Sequence, residues 1–209
     1  PGPTGGQGFE KTVFNDKYPS TNPVTGEGLA PVPFHATSQG FSGPKDQPLP
    51  TLSLPRVFVL SSPNTCSASE AIMNGLRGVG VQVIQIGTTT CGKPYGFYPA
   101  DNCGTTYFSI QFQGVNAQGF GDYPDGFSPA NTASSPGVAL PGCSVGDDFG
   151  HALGDRDEGR LAAALAYRLD QGCPAAAAAS RNPEMVRGAS ATDGLAPKSP
   201  WRENRILRR

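Results

Sequence analysis

The stretch from residue 56 to residue 86 constrains the fold most, because it predicts strand, helix and strand in close succession. Residues 56–62 form a short apolar, β-branched run that predicts a buried strand. Residues 66–77 predict a helix that ends at Gly78, and residues 81–86 predict a second buried strand. The helical residues expected to face the core are Ala68, Ala71, Ile72 and Leu76. A unit of this kind implies two parallel strands joined by a right-handed crossover, and therefore an α/β fold.

The rest of the chain is less regular. Residues 1–55 are rich in turn residues and predict a long excursion on the core, with an apolar piece at 9–14 that is either a strand or the end of a helix. Residues 105–113 alternate as a strand with one polar face does, and residues 114–150 read as loop. Residues 157–169 predict an amphipathic helix with its apolar face formed by Leu161, Leu165 and Leu169.

The composition excludes several classes of function. The formal net charge is −1, and no basic stripe indicates nucleic-acid binding. No apolar run approaches the roughly 20 residues of a membrane-spanning helix. The 28 glycines and 21 prolines predict long irregular loops. Since the chain begins Pro-Gly-Pro, we expect the start of the natural protein, including any signal peptide, to be absent.

The cysteines bear on the compartment in which the protein works. They are Cys66, Cys91, Cys103, Cys143 and Cys173. No Cys-x-x-Cys pair is present, which disfavours zinc-ribbon and thioredoxin-like sites. Widely spaced cysteines in a chain rich in glycine and proline favour disulfides and a periplasmic or extracellular location. Buried free thiols are the alternative, and the pairing stays open, although a Cys143–Cys173 bond would tie the last helix to the loop before it.

Ser67 stands at the predicted start of the helix, in the run Thr65-Cys66-Ser67-Ala68-Ser69-Glu70. A Ser-x-x-Glu pattern is typical of a capping box, in which hydroxyl and carboxylate accept hydrogen bonds from free backbone N–H groups. The same position suits a nucleophile, because a tight turn exposes the hydroxyl and directs helix N–H groups at a developing oxyanion. Both interpretations hold together if Ser69 or Glu70 caps the helix while Ser67 reacts.

Lys93, in the run Gly92-Lys93-Pro94 after the second strand, is the candidate base. A lysine accepts a serine proton only when it is neutral, and its ordinary pKa is about 10.4. The fold must therefore bury the amine, and the neighbouring Tyr95 and Phe97 predict the apolar setting that this requires. Because the helix start and the end of the second strand share the carboxyl edge of such a unit, Ser67 and Lys93 can meet there. An ordinary surface lysine is the alternative.

Two runs carry a resemblance to a known family. They are residues 60–76, Leu-Ser-Ser-Pro-Asn-Thr-Cys-Ser-Ala-Ser-Glu-Ala-Ile-Met-Asn-Gly-Leu, and residues 87–97, Gly-Thr-Thr-Thr-Cys-Gly-Lys-Pro-Tyr-Gly-Phe. The chain resembles a divergent branch of the S41 peptidases, the C-terminal or tail-specific processing proteases, over residues 56–128 and loosely up to Leu169. In that family the nucleophile is the serine before Ala-Ser-Glu, and the base is the lysine of a Thr-x-Gly-Lys turn. The resemblance gives these roles to Ser67 and Lys93, and the role of an oxyanion-holding N–H to Ala68.

The resemblance also implies a fold and a domain organisation. The implied core is a ClpP/crotonase-like stack of ββα units that is incomplete at its N-terminus and belongs to a longer protein. Residues 1–55 are then a loop-rich part of the catalytic domain, residues 56–173 the C-terminal part of its core, and residues 174–209 a flexible polar tail. The implied activity is a serine endopeptidase that acts on extended peptides or proteins and needs neither metal nor cofactor. The residues expected to support the reacting pair are Ser69, Glu70, Gly92, Tyr95 and Phe97.

The sequence departs from the family pattern in three places. Phe97 stands where many members have a glutamine that holds the amine. The upstream Arg-x-Asn-x-Gly-Gly turn that supplies one oxyanion N–H is missing, and a half-built oxyanion hole costs about 10²–10³ in rate. No PDZ-like region precedes the core in this sequence, so we expect the chain to be the C-terminal portion of a longer enzyme. Phe97 and the missing upstream turn make a secreted S41-like binding scaffold without turnover the main alternative.

Other candidates for chemistry are weaker. A Ser-His-Asp hydrolase or esterase could use His151 with Asp147 or Asp148, although a loop–helix junction is also where such residues cap. Cys66 and Cys91 flank the proposed site and can be a disulfide, buried thiols, or a catalytic thiol without a paired histidine. The acidic loop at 122–126 lacks the spacing of a calcium loop, and the glycines at 114–126 lack the order of a phosphate loop.

Overall fold

The structure, a computed structural model, describes residues 4–135 and 137–174. The predicted tail lies outside the described residues from position 175 onwards. The described part is a mixed α/β fold with several small sheets and few helices, which confirms the fold class at this level. Its elements are, in chain order, β1 (Gly8–Val13), β2 (Val32–Pro33), β3 (Arg56–Ser61), α1 (Ala68–Gly78), β4 (Gln82–Gly87), β5 (Tyr95–Gly96), β6 (Pro99–Asn102), β7 (Thr105–Phe108), β8 (Phe112–Val115), β9 (Phe127–Pro129), β10 (Val138–Leu140), β11 (Gly142–Ser144) and α2 (Gly159–Arg168).

A parallel sheet with the strand order β11-β4-β3 forms the centre of the described fold. β3 and β4 pair in parallel over their full lengths, and α1 connects them, so the predicted strand–helix–strand unit is confirmed. Val83 packs with Met73 of α1, whereas Ile84 and Ile86 pack with Ala163 of α2. Because successive strand residues point to opposite faces, the two helices cover opposite faces of this sheet.

An antiparallel sheet with the order β2-β1-β8-β5 packs against α1. Residues 9–14, which the sequence leaves open between strand and helix, belong mainly to β1. Gly75 of α1 makes room for the ring of Phe9, since a Cβ on this glycine would lie 2.6 Å from the ring. The turn after β8 is fixed to the same helix, because the Asn116 side-chain amide donates to Asn74 Oδ1 at 3.0 Å. β5, which begins two residues after Lys93, is the last strand of this sheet.

The structure corrects the predictions for residues 105–150. The single strand predicted at 105–113 is two strands, since β7 forms a hairpin with β6 while β8 joins β1 and β5. Between β7 and β8, at residues 109–111, the chain leaves one sheet and enters another, so a single continuous strand is not possible. The prediction that 114–150 is loop is also wrong, because β9, β10 and β11 lie there. Each of these strands has 3 residues, which is too short for alternation to stand out among glycines and prolines.

The buried faces of both helices differ from the predicted apolar faces. In α1 the predicted core residue Ile72 is 52% exposed, while Glu70 and Asn74 are buried. Their polar side chains find partners on neighbouring loops, so α1 is held by polar contacts as well as by the packing of Met73 in the core. In α2 the buried residues are Ala163 and Ala164, whereas Leu169 lies beyond the helix end and is exposed.

Candidate active site

Ser67 lies in the turn between β3 and α1, at the N-cap position before the first helical residue, Ala68. Its φ of 55° and ψ of −112° place it in a region that glycine tolerates and other residues rarely occupy. Such a conformation costs about 1–3 kcal/mol and is concentrated at functional sites. The residue is exposed. The turn thus presents Ser67 to solvent on a strained backbone, as a nucleophile turn between strand and helix does.

Glu70, in the first turn of α1, is buried with 0% exposure. Its Oε2 atom accepts hydrogen bonds from the backbone N–H of Ser67 at 2.9 Å and of Lys93 at 2.8 Å. Because both N–H groups bind the same oxygen atom, the distance between the Ser67 and Lys93 backbone nitrogens cannot exceed the sum of these two hydrogen-bond lengths. The structure therefore brings the two predicted turns together. The same contact forms the glutamate half of the predicted capping box.

The second oxygen of this carboxylate also holds the Lys93 turn. Glu70 Oε1 accepts from the Gly92 N–H at 2.8 Å and from the Thr90 hydroxyl at 2.5 Å. Thr90 is buried, and its hydroxyl oxygen accepts from the Phe127 N–H at 2.8 Å, which links the turn to β9. Thr90 is not among the site residues that the sequence predicts, although a run of threonines at the end of a buried strand is a visible signal. A buried carboxylate with this many donors is a rigid anchor for both turns.

A disulfide joins the same two turns covalently. Cys66 and Cys91 form a bond with an S–S distance of 2.01 Å, and the Cys91 N–H donates to the Thr65 carbonyl at 3.1 Å. A second disulfide, between Cys143 and Cys173, ties β11 to the segment after α2. Cys103 is an exposed free thiol. Two disulfides are compatible with an extracellular or periplasmic protein.

Lys93 does not have the apolar enclosure that the sequence predicts. The lysine is exposed, and its neighbours Tyr95 and Phe97 are 41% and 50% exposed. Burial alternates along this segment, since Pro94 is buried and Gly96 is half-buried between them. Lys93, Tyr95 and Phe97 therefore share one open face of an extended segment. Within the described residues, Lys93 is thus open to solvent on the face that it shares with these two aromatic residues.

The start of α1 offers a donor for a developing negative charge. Ala68 is the first residue of the helix, and the first N–H groups of a helix have no partner within it. The partial positive charge of a helix N-terminus favours an oxyanion at this place. Ser69 is exposed beside it. The arrangement can present a hydroxyl, an amine and a backbone donor at one edge of the parallel sheet.

The alternative base, His151, pairs with one of its two candidate carboxylates. His151 Nδ1 and Asp148 Oδ2 lie 2.8 Å apart, whereas Asp147 binds Arg160 at 2.7 Å. Asp148 also accepts from the Gly159 N–H at 3.1 Å, so it satisfies the first amide of α2, while Glu158 is the N-cap residue. Among the residues that the structure describes, no hydrogen bond joins His151 to a serine. The pair thus behaves as a helix-end interaction.

The His151–Asp148 pair makes a testable prediction about pH. The hydrogen bond to Asp148 raises the pKa of His151 above its ordinary 6.5, and the same bond lowers the pKa of Asp148 below its ordinary 3.8. The pair is therefore fully formed between these two ordinary values, and it is lost as the pH rises through the raised pKa of His151. In an NMR titration of His151 we expect the midpoint to fall in Asp148→Asn and to stay unchanged in the control Asp147→Asn. Equal midpoints in all three proteins would contradict this pairing.

Other ligand sites find no support in the described part of the chain. Over residues 4–135 and 137–174, no group of three or more His, Cys, Asp or Glu residues could hold a metal ion. No helix in these ranges combines the length and the apolar character that a membrane crossing needs.

Comparison with known proteins adds one distant similarity. No model of a known family matches the sequence, and no curated protein matches it. Among solved structures, the Putative S41 protease of Bacteroides fragilis NCTC 9343 aligns with a TM-score of 0.49 and 19% sequence identity. The alignment covers 80% of this chain and 38% of that protein. A similarity at this level leaves the function to be argued from the site.

Proposed function

We propose that this chain carries the reacting residues of a serine peptidase that hydrolyses peptide bonds in extended polypeptides. The observation that carries the proposal is the Glu70 carboxylate, which holds the backbone amides of Ser67 and Lys93 on one oxygen atom. The motif resemblance to the S41 peptidases supports the same pair. We assign Ser67 as the nucleophile, Lys93 as the general base and the Ala68 N–H as an oxyanion donor.

The proposed reaction has two halves. Lys93 Nζ takes the proton of Ser67 Oγ, and the oxygen attacks the carbonyl carbon of the scissile peptide bond. The carbonyl oxygen becomes negative and accepts a hydrogen bond from the Ala68 N–H. The carbon–nitrogen bond breaks, the departing amine takes the proton from Lys93, and an ester with Ser67 remains. Water then gives a proton to Lys93, attacks the ester and releases the acid, while the proton returns to Ser67.

The open face at Lys93 limits when this chemistry can start. A lysine amine acts as a base more readily where water is kept away from it. Tyr95 and Phe97 lie on the same face as Lys93 and form one wall of such an enclosure. In the proposed enzyme a bound polypeptide, or further protein, supplies the other wall.

A fluorophosphonate probe tests the assignment directly. In the protein as it naturally exists, we expect covalent labelling at Ser67 and a loss of labelling rate of at least about 100-fold in Lys93→Ala, because the base is gone. Mass spectrometry of the labelled peptide identifies the modified residue. Lys45→Ala, a change of another exposed lysine, is the matched control and should label at the normal rate.

Two results would contradict the proposal. The absence of labelling would favour the binding scaffold without turnover, an interpretation that the exposure of Lys93 supports. Turnover that is lost in His151→Ala and kept in Lys93→Ala would select the Ser-His hydrolase or esterase instead.

A further inference from the structure

The edge strand β5 lies next to the candidate active site, because it begins two residues after Lys93. β5 is the last strand in the order β2-β1-β8-β5. The Gly114 N–H donates to the Pro94 carbonyl at 3.1 Å, and the Gln111 N–H donates to the Gly96 carbonyl at 3.0 Å. Both carbonyls thus point toward β8. Because backbone groups alternate along a strand, the N–H and C=O of Tyr95 point to the opposite, outer side.

The same alternation joins this edge to the proposed reacting pair. The Lys93 N–H, two residues before Tyr95, also points to the outer side, where it meets the Glu70 carboxylate that holds Ser67. A strand laid along the outer edge of β5 would therefore run past the Glu70 anchor and the Ser67 turn. Edge strands with free backbone groups are the usual places for an added strand.

An aromatic face accompanies this edge. We define it by Tyr95, Phe97 and Phe108, which are 41%, 50% and 53% exposed. Phe97 and Phe108 pack edge to face, with ring centroids 5.4 Å apart, so the hairpin of β6 and β7 extends the face beyond β5. Covering exposed aromatic surface with an apolar side chain is favourable, because it removes apolar surface from water.

We propose that the outer edge of β5 pairs with an extended polypeptide substrate as an added β-strand, and that apolar side chains of this polypeptide seat on the aromatic face. The inference rests on the proposed peptidase function and names the substrate class of that site. Backbone pairing with Tyr95 fixes the register of the substrate strand, and the aromatic face selects apolar residues at alternate positions. Covering this face also removes water from the side on which Lys93 lies.

Peptide binding to the Ser67→Ala protein tests the inference without cleavage. The probe is a fluorescein-labelled peptide with alternating phenylalanine and serine, and its matched comparison carries aspartate in place of phenylalanine. We expect binding of the phenylalanine peptide to weaken about tenfold in Phe97→Ala and in Phe108→Ala, since one aromatic contact is lost in each. Phe41→Ala, a change of a 93% exposed phenylalanine outside the face, should leave the affinity unchanged. The aspartate peptide should bind at least tenfold more weakly than the phenylalanine peptide.

Hydrogen exchange separates backbone pairing from mere apolar contact. The bound phenylalanine peptide should slow exchange of the Tyr95 amide hydrogen. The same peptide with N-methyl groups in place of the backbone N–H at alternate positions cannot pair as a strand, so it should not slow this exchange. Three results would each overturn the inference: no binding of the phenylalanine peptide, an affinity of Phe97→Ala and Phe108→Ala as high as that of the protein without these changes, or unchanged exchange at Tyr95. Ser67 labelling by the fluorophosphonate probe would then still stand for the peptidase. Binding with the expected pattern in a protein that never labels would instead keep the edge site and reject the peptidase.

Discussion

Glu70→Ala is expected to lower the free energy of unfolding by more than about 4 kcal/mol. The change removes the acceptor for the amides of Ser67, Gly92 and Lys93 and for the Thr90 hydroxyl. The buried Thr90 hydroxyl left without an acceptor costs about 1–3 kcal/mol, each of the three part-buried amides costs less, and the missing side chain leaves a gap as well. Chemical denaturation followed by circular dichroism measures the loss.

Two companion variants show whether the carboxylate itself matters. Glu70→Gln keeps the shape but turns an NH₂ group toward N–H donors, so we expect about half of the loss. Amide exchange at Gly92 and Lys93 should become faster in both Glu70 variants. Glu27→Ala, at an exposed glutamate, should change the stability by no more than about 0.5 kcal/mol. If Glu70→Ala were as stable as this control, the carboxylate would not be what holds the two turns together.

Gly142→Ala is expected to prevent folding or to cost more than about 4 kcal/mol. Gly142 begins β11 with φ at 136°, and a Cβ there would lie 1.8 Å from the Gln85 carbonyl oxygen of β4. The strands would have to separate to admit a methyl group, and the central sheet would lose its third strand. Soluble yield and the denaturation midpoint measure the effect.

Gly87 of β4 is crowded in the same way by β3, the strand on the other side of β4. Its φ is 136°, and a Cβ would lie 2.0 Å from the Ser61 carbonyl oxygen of β3. Gly87→Ala should therefore be as damaging as Gly142→Ala. Gly146→Ala, where a Cβ would meet nothing within 4 Å, is the matched control and should be nearly neutral. A Gly142→Ala protein with the midpoint of this control would refute the close approach of β11 and β4.

The predicted elements agree with the structure where a segment carries its own periodicity. β3, α1 and β4 each have a pattern that is visible within one segment, and their connection limits the topology to a parallel pair. The strand at residues 142–144 could not be predicted, because three residues are too few to show a period. Its place in the sheet depends on pairing with β4. Local patterns also misplaced Ile72, because the partners that bury Glu70 and Asn74 lie elsewhere in the chain.

The strand–helix–strand unit and the candidates Ser67 and Lys93 can be predicted without a structure, since capping, turn and strand signals are local in the chain. The folded chain was needed to show that a buried carboxylate and a Cys66–Cys91 bond hold the two turns together. It was also needed to show that Lys93 shares an open face with Tyr95 and Phe97. Burial and hydrogen-bond partners depend on which distant segments pack against a residue, and a local pattern does not carry that information.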